Sequence, residues 1–386
     1  MYDEFRNLIN RKKKFNFTNL QIYDVTLRDG EQTPRIAFSA HEKVKIAKFL
    51  NQLKIKYIEA GFPASSQEDQ EAVKKIIDLN LDFDVYALAR LSKEDVDLAY
   101  ECGVRHLVLF SPSSDYLLEA NLKTNIDERI EKLKIIIDYA KRKGMYVRFG
   151  CEDASRTDYE RLIRVYDACY QSGADMVAFA DTMGMMTPLS MYEVISNLKK
   201  DIEIPLAAHC HNDFGVGLAN VLSAIEAGVD QVHVSINGLG ERTGNVSLEE
   251  LVMCLLIQYD CDMGIETKKI YEVSREIYDF AGLDIPFNKP IVGKNAFTHE
   301  SGLHVNGILS SPNTYQPFPA EIIGRENEIA LGKHSGRSSI KYFAEKNNVT
   351  NISDKKIDEA LNKIKKLSTE KQLITENLLL EILKEK

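Results

Sequence analysis

Two histidines separated by one residue are the clearest chemical signal in the sequence. His209 and His211 close an apolar run, PLAAHCH (205–211), that predicts a β-strand. Because residues i and i+2 of a strand project to the same side, both imidazoles can reach one point. A metal ion is the natural occupant of that point. Two polar histidines with other hydrogen-bonding partners are the alternative interpretation.

A second polar cluster follows the first predicted strand. The segment TLRDGEQ places Arg28 and Asp29 next to the run IYDVTL (22–27). Asp29 is a plausible third metal ligand, since two histidines and one carboxylate leave positions open for water or substrate. This ligand set permits Mg2+, Mn2+, Zn2+ or Co2+. Arg28 could stabilise negative charge that develops on a substrate oxygen.

Other polar residues stand at the ends of further predicted strands. They are Glu59, Glu152, Asp153, Asp181, Thr182 and Asn237. A glycine-rich loop, NGLGERTGN (237–245), could position phosphates or a further metal ligand, or be a flexible turn. Farther along the chain, FTHESGLHVNG (297–307) and LGKHSGR (331–337) contain closely spaced histidines and Glu300. A His and a neighbouring Glu could form a general base and its orienting carboxylate, although such residues also pin long loops.

Eight short apolar or β-branched runs must position these groups. They alternate with amphipathic stretches over about 240 residues, which matches the size of a (β/α)8 TIM barrel. We expect strands at 22–27, 57–61, 84–89, 106–110, 146–151, 176–181, 205–211 and 231–238. An open doubly wound sheet is the alternative, but no G-x-G-x-x-G follows the first strand. In a barrel the chemistry lies where the strands end.

The sequence predicts three regions. An N-terminal extension covers 1–20, a TIM-barrel catalytic domain covers 21–284, and a C-terminal linker with an α-rich helical subdomain covers 285–386. After residue 284 the strand and helix alternation stops. Residues 285–340 are rich in Gly, Pro, Ser, Asn and His and predict polar loops. Charged helical stretches are expected at about 336–347 and 354–384.

Composition excludes several functional classes. The chain has 49 basic and 58 acidic residues, a net charge of −9, which argues against nucleic acid and against attraction to anionic membranes. It lacks an apolar run of the roughly 20 residues needed to cross a bilayer. We see no secretory signal and expect a cytoplasmic protein. The six cysteines form no C-x-x-C pair, which fits reduced thiols.

The motifs together resemble one family. TLRDGEQ, HCHNDFGVGLAN, NGLGERTGN and FTHESGLH are similar, in order, to signature segments of the homocitrate synthase and isopropylmalate synthase family of DRE-TIM metallolyases. The resemblance covers nearly all of 20–340. It implies an acyltransferase of carboxylic acid metabolism, usually dimeric. In its Claisen-type reaction, acetyl-CoA is deprotonated at its methyl group, the carbanion attacks the ketone carbon of an α-keto acid, and thioester hydrolysis releases CoA.

The resemblance also implies roles for individual residues. Asp29, His209 and His211 would bind the metal ion, with Asn245 as an additional candidate ligand. Arg28 would stabilise the alkoxide formed at the attacked carbonyl.

Thr182 would bind the carboxylate of the keto acid. His304, with Glu152 as a possible partner and Tyr315 nearby in sequence, resembles the family's catalytic group, which is often supplied across a dimer.

Different segments of the sequence indicate different keto acids as the substrate. Arg148 lies four residues before Glu152 on one strand face, where it could meet a second substrate carboxylate, as in homocitrate synthases of the lysine pathway. An arginine facing the branched apolar tail of an isopropylmalate synthase substrate would be buried without a partner. AFADTMG (178–184) also resembles homocitrate synthases. The chain length leads us to expect no full C-terminal regulatory domain, as in short homocitrate synthases of nitrogenase cofactor assembly.

Against this, EAGFPASS (59–66) and ALAR (87–90) resemble isopropylmalate synthases, and Tyr86 or Leu88 falls where some homocitrate synthases have a substrate-binding His. We therefore expect 2-oxoglutarate as substrate and homocitrate as product. The alternatives are 2-isopropylmalate synthase acting on 2-oxoisovalerate and, less favoured, citramalate synthase.

A metal-dependent aldolase-type lyase on the same barrel is the alternative from another class. Retro-aldol lyases and biotin-dependent carboxyltransferases share the R-D-G and H-x-H elements. The segments SGLHVNG and LGKHSGR resemble the condensing synthases instead. A carboxyltransferase would need a lysine at a strand end, and none of the proposed strand ends supplies one. A non-catalytic binding barrel is disfavoured, because none of the candidate metal ligands is missing from the sequence.

Overall fold

A computed structural model describes Phe17 and residues 19–385. Most of the expected N-terminal extension at 1–20 lies outside these residues. The described chain divides into two compact units, of which one ends at Asp284 and the other begins at Ile285. Within the described residues, no helix combines the length and apolar character of a membrane span.

The first unit is a closed barrel of eight parallel strands in sequence order. The strands are β1 (Gln21–Asp24), β2 (Tyr57–Glu59), β3 (Asp84–Arg90), β4 (His106–Pro112), β5 (Tyr146–Glu152), β6 (Met176–Asp181), β7 (Leu206–Cys210) and β8 (Gln231–Val234). Closure is made by β1 and β8, where Gln21 lies opposite Gln231 and Asp24 opposite Val234. The predicted TIM barrel is therefore confirmed, and the open doubly wound sheet is excluded.

Helices connect the strands and cover the barrel. They are α1 (Ala40–Gln52), α2 (Gln67–Asp78), α3 (Lys93–Glu101), the single turn α4 (Asp115–Leu117), α5 (Ile126–Arg142), α6 (Tyr159–Gln171), α7 (Pro188–Asp201), α8 (Gly217–Glu226), α9 (Leu248–Gln258) and α10 (Ile270–Phe280). Polar N-caps begin several of them. Ser39, for example, accepts a hydrogen bond from the backbone N–H of Glu42, whose side chain accepts one from the N–H of Ser39.

Strands β1 and β8 end three and four residues earlier than expected. Strand β1 stops at Asp24 because its carboxylate accepts hydrogen bonds from the backbone N–H and the hydroxyl of Thr26, at 2.9 Å each. The chain then turns, and the N–H of Asp29 donates to the carbonyl of Val25 at 2.9 Å. Strand β8 stops at Val234, shortly before Asn237 takes a positive φ of 64°. Both early ends produce turns that carry site residues.

The second unit is mainly helical, as predicted. It contains α11 (Gly302–Ser310), α12 (Arg337–Lys346), α13 (Asp354–Thr369) and α14 (Glu376–Lys384), and a pair of two-residue strands, β9 (Thr298–His299) and β10 (Glu328–Ile329). Leu331, Ile340, Phe343, Ile357, Ile364, Leu379 and Ile382 are among its buried core residues.

One expectation for this unit needs correction, because the supposedly loop-rich part contains helix α11. The helical stretch expected at 354–384 consists of two helices. Lys371 takes a positive φ of 61°, which ends the first, and the side chain of Thr375 caps the second.

The six cysteines are all free, as expected of reduced thiols. Four are buried, Cys102, Cys151, Cys169 and Cys210, and two are partly buried, Cys254 and Cys261.

Candidate active site

Three predicted ligands meet at the carboxyl end of the barrel strands. Asp29 lies in the turn after β1, His209 belongs to β7, and His211 directly follows that strand. All three are buried, and one ligand atom from each lies within 4.8 Å of the others. Nε2 of His209 is 3.4 Å from Oδ2 of Asp29 and 3.2 Å from Nε2 of His211. The structure therefore brings together the set that the sequence suggested.

The protonation states of this cluster suit a metal ion. Burial and, to a smaller extent, the nearby His211 lower the pKa of His209 to about 3, although Asp29 acts in the opposite direction. Burial also lowers the pKa of His211. For Asp29 burial acts in the opposite direction, but Arg28 and the two histidines outweigh it and hold the pKa well below its ordinary value. Two neutral imidazoles and an ionised carboxylate are the forms that bind metal.

Unpartnered polar atoms support the same interpretation. Nδ1 of His211 and Oδ1 of Asn245 are buried and have no hydrogen-bonding partner among the described residues. The backbones of these two residues pair in an isolated antiparallel bridge, and Nδ2 of Asn245 donates to the carbonyl of Leu239 at 3.0 Å. The donor set of Asp29, His209 and His211, with Asn245 beside it, thus fits a divalent ion.

The glycine-rich loop after β8 packs closely against these ligands. The backbone N–H of Glu241 donates to Oδ1 of Asp29 at 3.4 Å. A Cβ atom at Gly240 would lie 2.3 Å from Nδ2 of Asn245 and 3.2 Å from Oδ1 of Asp29. Only a glycine therefore lets this backbone approach the cluster, which gives the loop a positioning role that its glycine content alone did not specify.

The guanidinium of Arg28 is held between two carboxylates. Its Nε donates to Oε1 of Glu59 at 2.9 Å, and its Nη2 to Oε2 of the same residue at 3.4 Å. Its Nη1 lies 3.0 Å from Oδ2 of Asp29. The side chain is 15% exposed, so it is accessible from the cavity while its orientation is fixed. Sequence reasoning found Glu59 as a strand-end acid but not this pairing.

Arg148 is fully buried inside the barrel. Its guanidinium carbon lies 3.7 Å from the ring centroid of Tyr23, and its Nη1 donates to Oε1 of Gln231 and, at 3.1 Å, to Nε2 of His233. Nε and Nη2 have no hydrogen-bonding partner in the described part of the chain, although Nη2 lies 3.8 Å from Glu59. Gln231 and His233 were not predicted as site residues. The signal that could have identified them is their spacing, since two polar residues at i and i+2 of a strand face the same side.

A cavity of about 350 Å³ joins these groups. Of the site residues predicted in the barrel, those that line it are Arg28, Asp29, Arg148, Glu152, Thr182, His209 and His211. Asn245 does not line it. One wall is apolar and consists of Phe62, Leu88, Val108, Phe110, Ala178 and Ala180.

Glu152 is the last residue of β5, Thr182 directly follows the neighbouring strand β6, and both line the cavity. Burial raises the pKa of Glu152, and the adjacent Asp153 raises it further, whereas Arg28 lowers it. The hydroxyl of Thr182 accepts a hydrogen bond from the backbone N–H of Asp153 at 2.8 Å. Its carbonyl accepts a hydrogen bond from Arg242. The loops after β5, β6 and β8 are thereby linked.

His304 and Tyr315 belong to the second unit. His304 lies on helix α11, and its ring stacks on that of Tyr315 with 4.1 Å between centroids and 24° between planes. Both side chains are exposed. Nearby, Oε1 of Glu300 accepts a hydrogen bond from the backbone N–H of His334 at 3.0 Å. Glu300 therefore binds the LGKHSGR segment rather than His304.

The parallel barrel with a candidate metal cluster at its strand ends defines the class of protein. Residues 19–277 match the sequence model of the HMGL-like family, and residues 291–372 match the model described as homocitrate synthase post-HMGL domain-like. The chain belongs to the HMGL-like family, whose members depend on a divalent metal. This confirms the DRE-TIM resemblance, and Asp29, His209 and His211 form a possible site for such a metal.

Relatives refine this assignment. A 2-isopropylmalate synthase from Methanocaldococcus jannaschii is 44% identical over 358 residues, 92% of this chain and 69% of the relative. Homocitrate synthase AksA from Methanothermobacter thermautotrophicus is 39% identical over 381 residues, 98% and 97% of the two chains. (R)-citramalate synthase CimA from M. jannaschii is 38% identical over 366 residues, 95% and 74%. Within its family the chain is an acyltransferase of the kind these synthases represent.

A solved structure supports the fold. The HMG-CoA lyase of Bacillus subtilis superposes with a TM-score of 0.65 over 71% of this chain and 97% of the lyase, at 22% sequence identity. At that identity the similarity establishes the barrel architecture only.

Proposed function

We propose that this chain is a homocitrate synthase that condenses acetyl-CoA with 2-oxoglutarate and releases CoA. The observation that carries the proposal is Arg148, whose buried guanidinium lines the cavity with Nε and Nη2 unpartnered. The distal carboxylate of 2-oxoglutarate offers two acceptor oxygens to these two donors. Arginine and carboxylate form charge-assisted, often bidentate pairs, which are among the strongest polar contacts in proteins.

A 2-isopropylmalate synthase is the second candidate. The apolar wall that includes Leu88, Val108 and Phe110 could receive the branched tail of 2-oxoisovalerate. The 44% identical relative carries that name. However, this substrate would offer no acceptor to the free N–H groups of Arg148, and an unsatisfied buried donor costs roughly 1–3 kcal/mol, or more where it is charged.

The polar end of the cavity would hold the reacting end of the keto acid. Asp29, His209 and His211, with Oδ1 of Asn245 as a further donor, would hold Mg2+, Mn2+, Zn2+ or Co2+. When bound, such an ion supplies Lewis-acid chemistry and a template for the carboxylate and carbonyl oxygens of the keto acid.

Arg28 and Thr182 would act directly on that end of the substrate. The Arg28 guanidinium, fixed by Glu59, would stabilise the negative charge that develops on the attacked carbonyl oxygen. The Thr182 hydroxyl would donate to the carboxylate next to the ketone. Both side chains line the cavity, which supports these assignments.

The second unit would supply the base. We propose that the imidazole of His304 removes a proton from the methyl group of acetyl-CoA, that Tyr315 holds the ring by stacking, and that Glu152 accepts or returns protons at the barrel end. The resulting enolate forms the new carbon–carbon bond at the ketone carbon. Water then cleaves the thioester, so that CoA leaves as the thiol. A homodimer is part of this proposal, which analytical ultracentrifugation would test.

The test is steady-state CoA release from acetyl-CoA with a divalent metal and, in turn, 2-oxoglutarate, 2-oxoisovalerate, pyruvate or oxaloacetate. We compare the native chain with Arg148→Met, which keeps the apolar stem but removes the charge. Truncating one partner of a buried charge pair costs about 2–5 kcal/mol. We therefore expect kcat/KM for 2-oxoglutarate to fall by roughly 30-fold to 5 × 10³-fold.

The outcomes separate the candidates. Preference for 2-oxoglutarate that collapses in Arg148→Met supports homocitrate synthase. Preference for 2-oxoisovalerate with little change in the variant makes the chain an isopropylmalate synthase, and no CoA release with any keto acid rejects the condensation. Arg105→Met is the control, since Arg105 caps the carbonyls of Tyr100 and Val104 and does not line the cavity.

A further inference from the structure

A pair of glutamine amides at the closure of the barrel is connected to Arg148. Gln21 at the start of β1 lies opposite Gln231 at the start of β8, and Nε2 of Gln231 donates to Oε1 of Gln21 at 2.8 Å. On its other side, Oε1 of Gln231 accepts a hydrogen bond from Nη1 of Arg148. Gln231 is 1% exposed and is not among the described residues that line the cavity. Any effect of Gln231 on a ligand in the cavity must therefore act through another side chain.

The direction of the two amides follows from the guanidinium. An arginine side chain only donates, so Gln231 must turn its oxygen, and not its NH2 group, towards Arg148. The NH2 group then needs an acceptor on the far side, and the oxygen of Gln21 is that acceptor. The other neighbour of Nη1 is Nε2 of His233 at 3.1 Å, a ring nitrogen that accepts in only one tautomer. Gln231 is the acceptor that Nη1 retains in either tautomer.

Two contacts together fix the guanidinium of Arg148. Its central carbon lies over the ring of Tyr23, 3.7 Å from the centroid, which holds the group against that ring. A guanidinium on a ring can still rotate in its own plane, and the bond from Nη1 to Gln231 prevents this rotation. The remaining edge, formed by Nε and Nη2, has no hydrogen-bonding partner within the described residues. Two parallel N–H groups on one edge are the geometry that binds both oxygens of one carboxylate.

We propose that Gln231 is a positioning residue that presents the Nε and Nη2 edge of Arg148 to the distal carboxylate of the substrate, and thereby contributes to the choice of keto acid. This role of Gln231 rests on the proposed function for Arg148. An arginine that is already oriented loses less conformational freedom when it binds, so a bidentate contact gains affinity from preorganisation. Without the acceptor at Gln231, the guanidinium can turn towards Glu59, which lies 3.8 Å from Nη2.

Binding of two matched ligands tests this role in the full chain, with Mn2+ and without acetyl-CoA. 2-Oxovalerate has a methyl group where 2-oxoglutarate has its distal carboxylate, so only 2-oxoglutarate uses the oriented edge. Gln231→Met keeps the length of the side chain and removes the acceptor. We expect calorimetric titration to show a Kd for 2-oxoglutarate that is at least about tenfold higher in this variant, because hydrogen bonds to charged groups contribute factors of this size. The Kd values for 2-oxovalerate and for Mn2+ should be unchanged.

The ratio of the Kd values for the two keto acids separates positioning from damage to the barrel, because a distorted cavity would weaken both ligands. Gln316→Met is the matched control. Gln316 is also buried and its amide donates to the amide oxygen of Asn327, but it is not one of the described residues lining the cavity. Both Kd values in this control should match those of the native chain. If Gln231→Met weakens both ligands equally, or does not weaken 2-oxoglutarate binding, the proposal is overturned.

A second variant keeps the test decisive if Gln231→Met does not fold. Gln21→Met leaves Nε2 of Gln231 without its acceptor. It should weaken 2-oxoglutarate binding in the same selective way but only by about two- to tenfold, as expected for a hydrogen bond between neutral groups. A folded Gln21→Met with the native ratio of Kd values would then overturn the proposal.

The native chain separates this role of Gln231 from the proposed function. If the native chain binds 2-oxoglutarate no more tightly than 2-oxovalerate, the carboxylate site at Arg148 is refuted, and the proposed function and the role of Gln231 fail together. If the native chain prefers 2-oxoglutarate and both variants keep that preference, only the role of Gln231 fails.

Discussion

Glu59 offers a demanding test of how the cavity is held together. Its side chain is 1% exposed and accepts hydrogen bonds from Nε of Arg28 at 2.9 Å and from the hydroxyl of Tyr23 at 3.3 Å. Nη2 of Arg148 lies 3.8 Å from the same carboxylate. One negative charge therefore lies between two arginine side chains. Glu59→Gln removes that charge and keeps the size of the side chain.

The expected effect is a large loss of stability. Removing one partner of a buried ion pair typically costs about 3–5 kcal/mol, because the other charge is left uncompensated. The amide oxygen of Gln can still accept one bond, and Arg28 keeps Asp29 at 3.0 Å. We therefore expect the free energy of unfolding to fall by about 3 kcal/mol, at the lower end of that range.

Urea unfolding followed by far-UV circular dichroism measures this loss, since the chain has no Trp for fluorescence. The control is Glu71→Gln, whose ion pair with Lys75 is more than half exposed on both sides. Such a surface pair should contribute less than about 0.5 kcal/mol. If Glu59→Gln loses no more stability than the control, the view of Glu59 as the shared counter-charge is wrong.

Three further predictions concern the site. Gly240→Ala should weaken Mn2+ binding at least about tenfold in a calorimetric titration, because the new Cβ displaces Asn245, and unchanged affinity would contradict a close approach at this loop. If the ionised form of Glu152 accepts a proton, kcat/KM should rise with pH through its raised pKa, and Glu152→Gln should remove that rise; a variant with the native pH profile would exclude this role. His211→Ala should lose at least about 10-fold in affinity for Mn2+, and equal binding would remove His211 from the ligand set.

The barrel could be predicted because its signals are local and repeated. Eight apolar runs alternate with helical periods, and the structure has eight strands at those places. The spacing of His209 and His211 fixes a shared side of one strand, whatever the rest of the fold does. Asp29 joins them because strand ends of a parallel barrel meet at one face.

Contacts between side chains of different strands could not be predicted in the same way. The pairing of Arg28 with Glu59 joins the turn after β1 to the neighbouring strand β2. The bond from Arg148 to His233 joins β5 to β8 across the barrel interior. No periodicity encodes such a pair. The second unit gives another example of a feature that could not be predicted. The Gly and Ser residues of α11 predicted a loop, because both have low helix propensity, but the structure has a helix there.

The carboxylate of Glu59 lies closer to Arg28 than to Arg148, and this difference bears on which keto acid the site would accept. Its carboxylate is 2.9 Å from Arg28 but 3.8 Å from Arg148, so Arg28 receives most of the compensation. Arg148 is left with free donors in a buried place. A site that is built to hydrogen-bond a polar group can reject an analogue lacking it by about 10⁴–10⁵-fold, because the buried donors then stay unpaired. An apolar wall discriminates much less, by about 10–200-fold for one methylene group. In the proposed function Arg148 would therefore have the greater influence on specificity, and a dicarboxylate would satisfy its free donors.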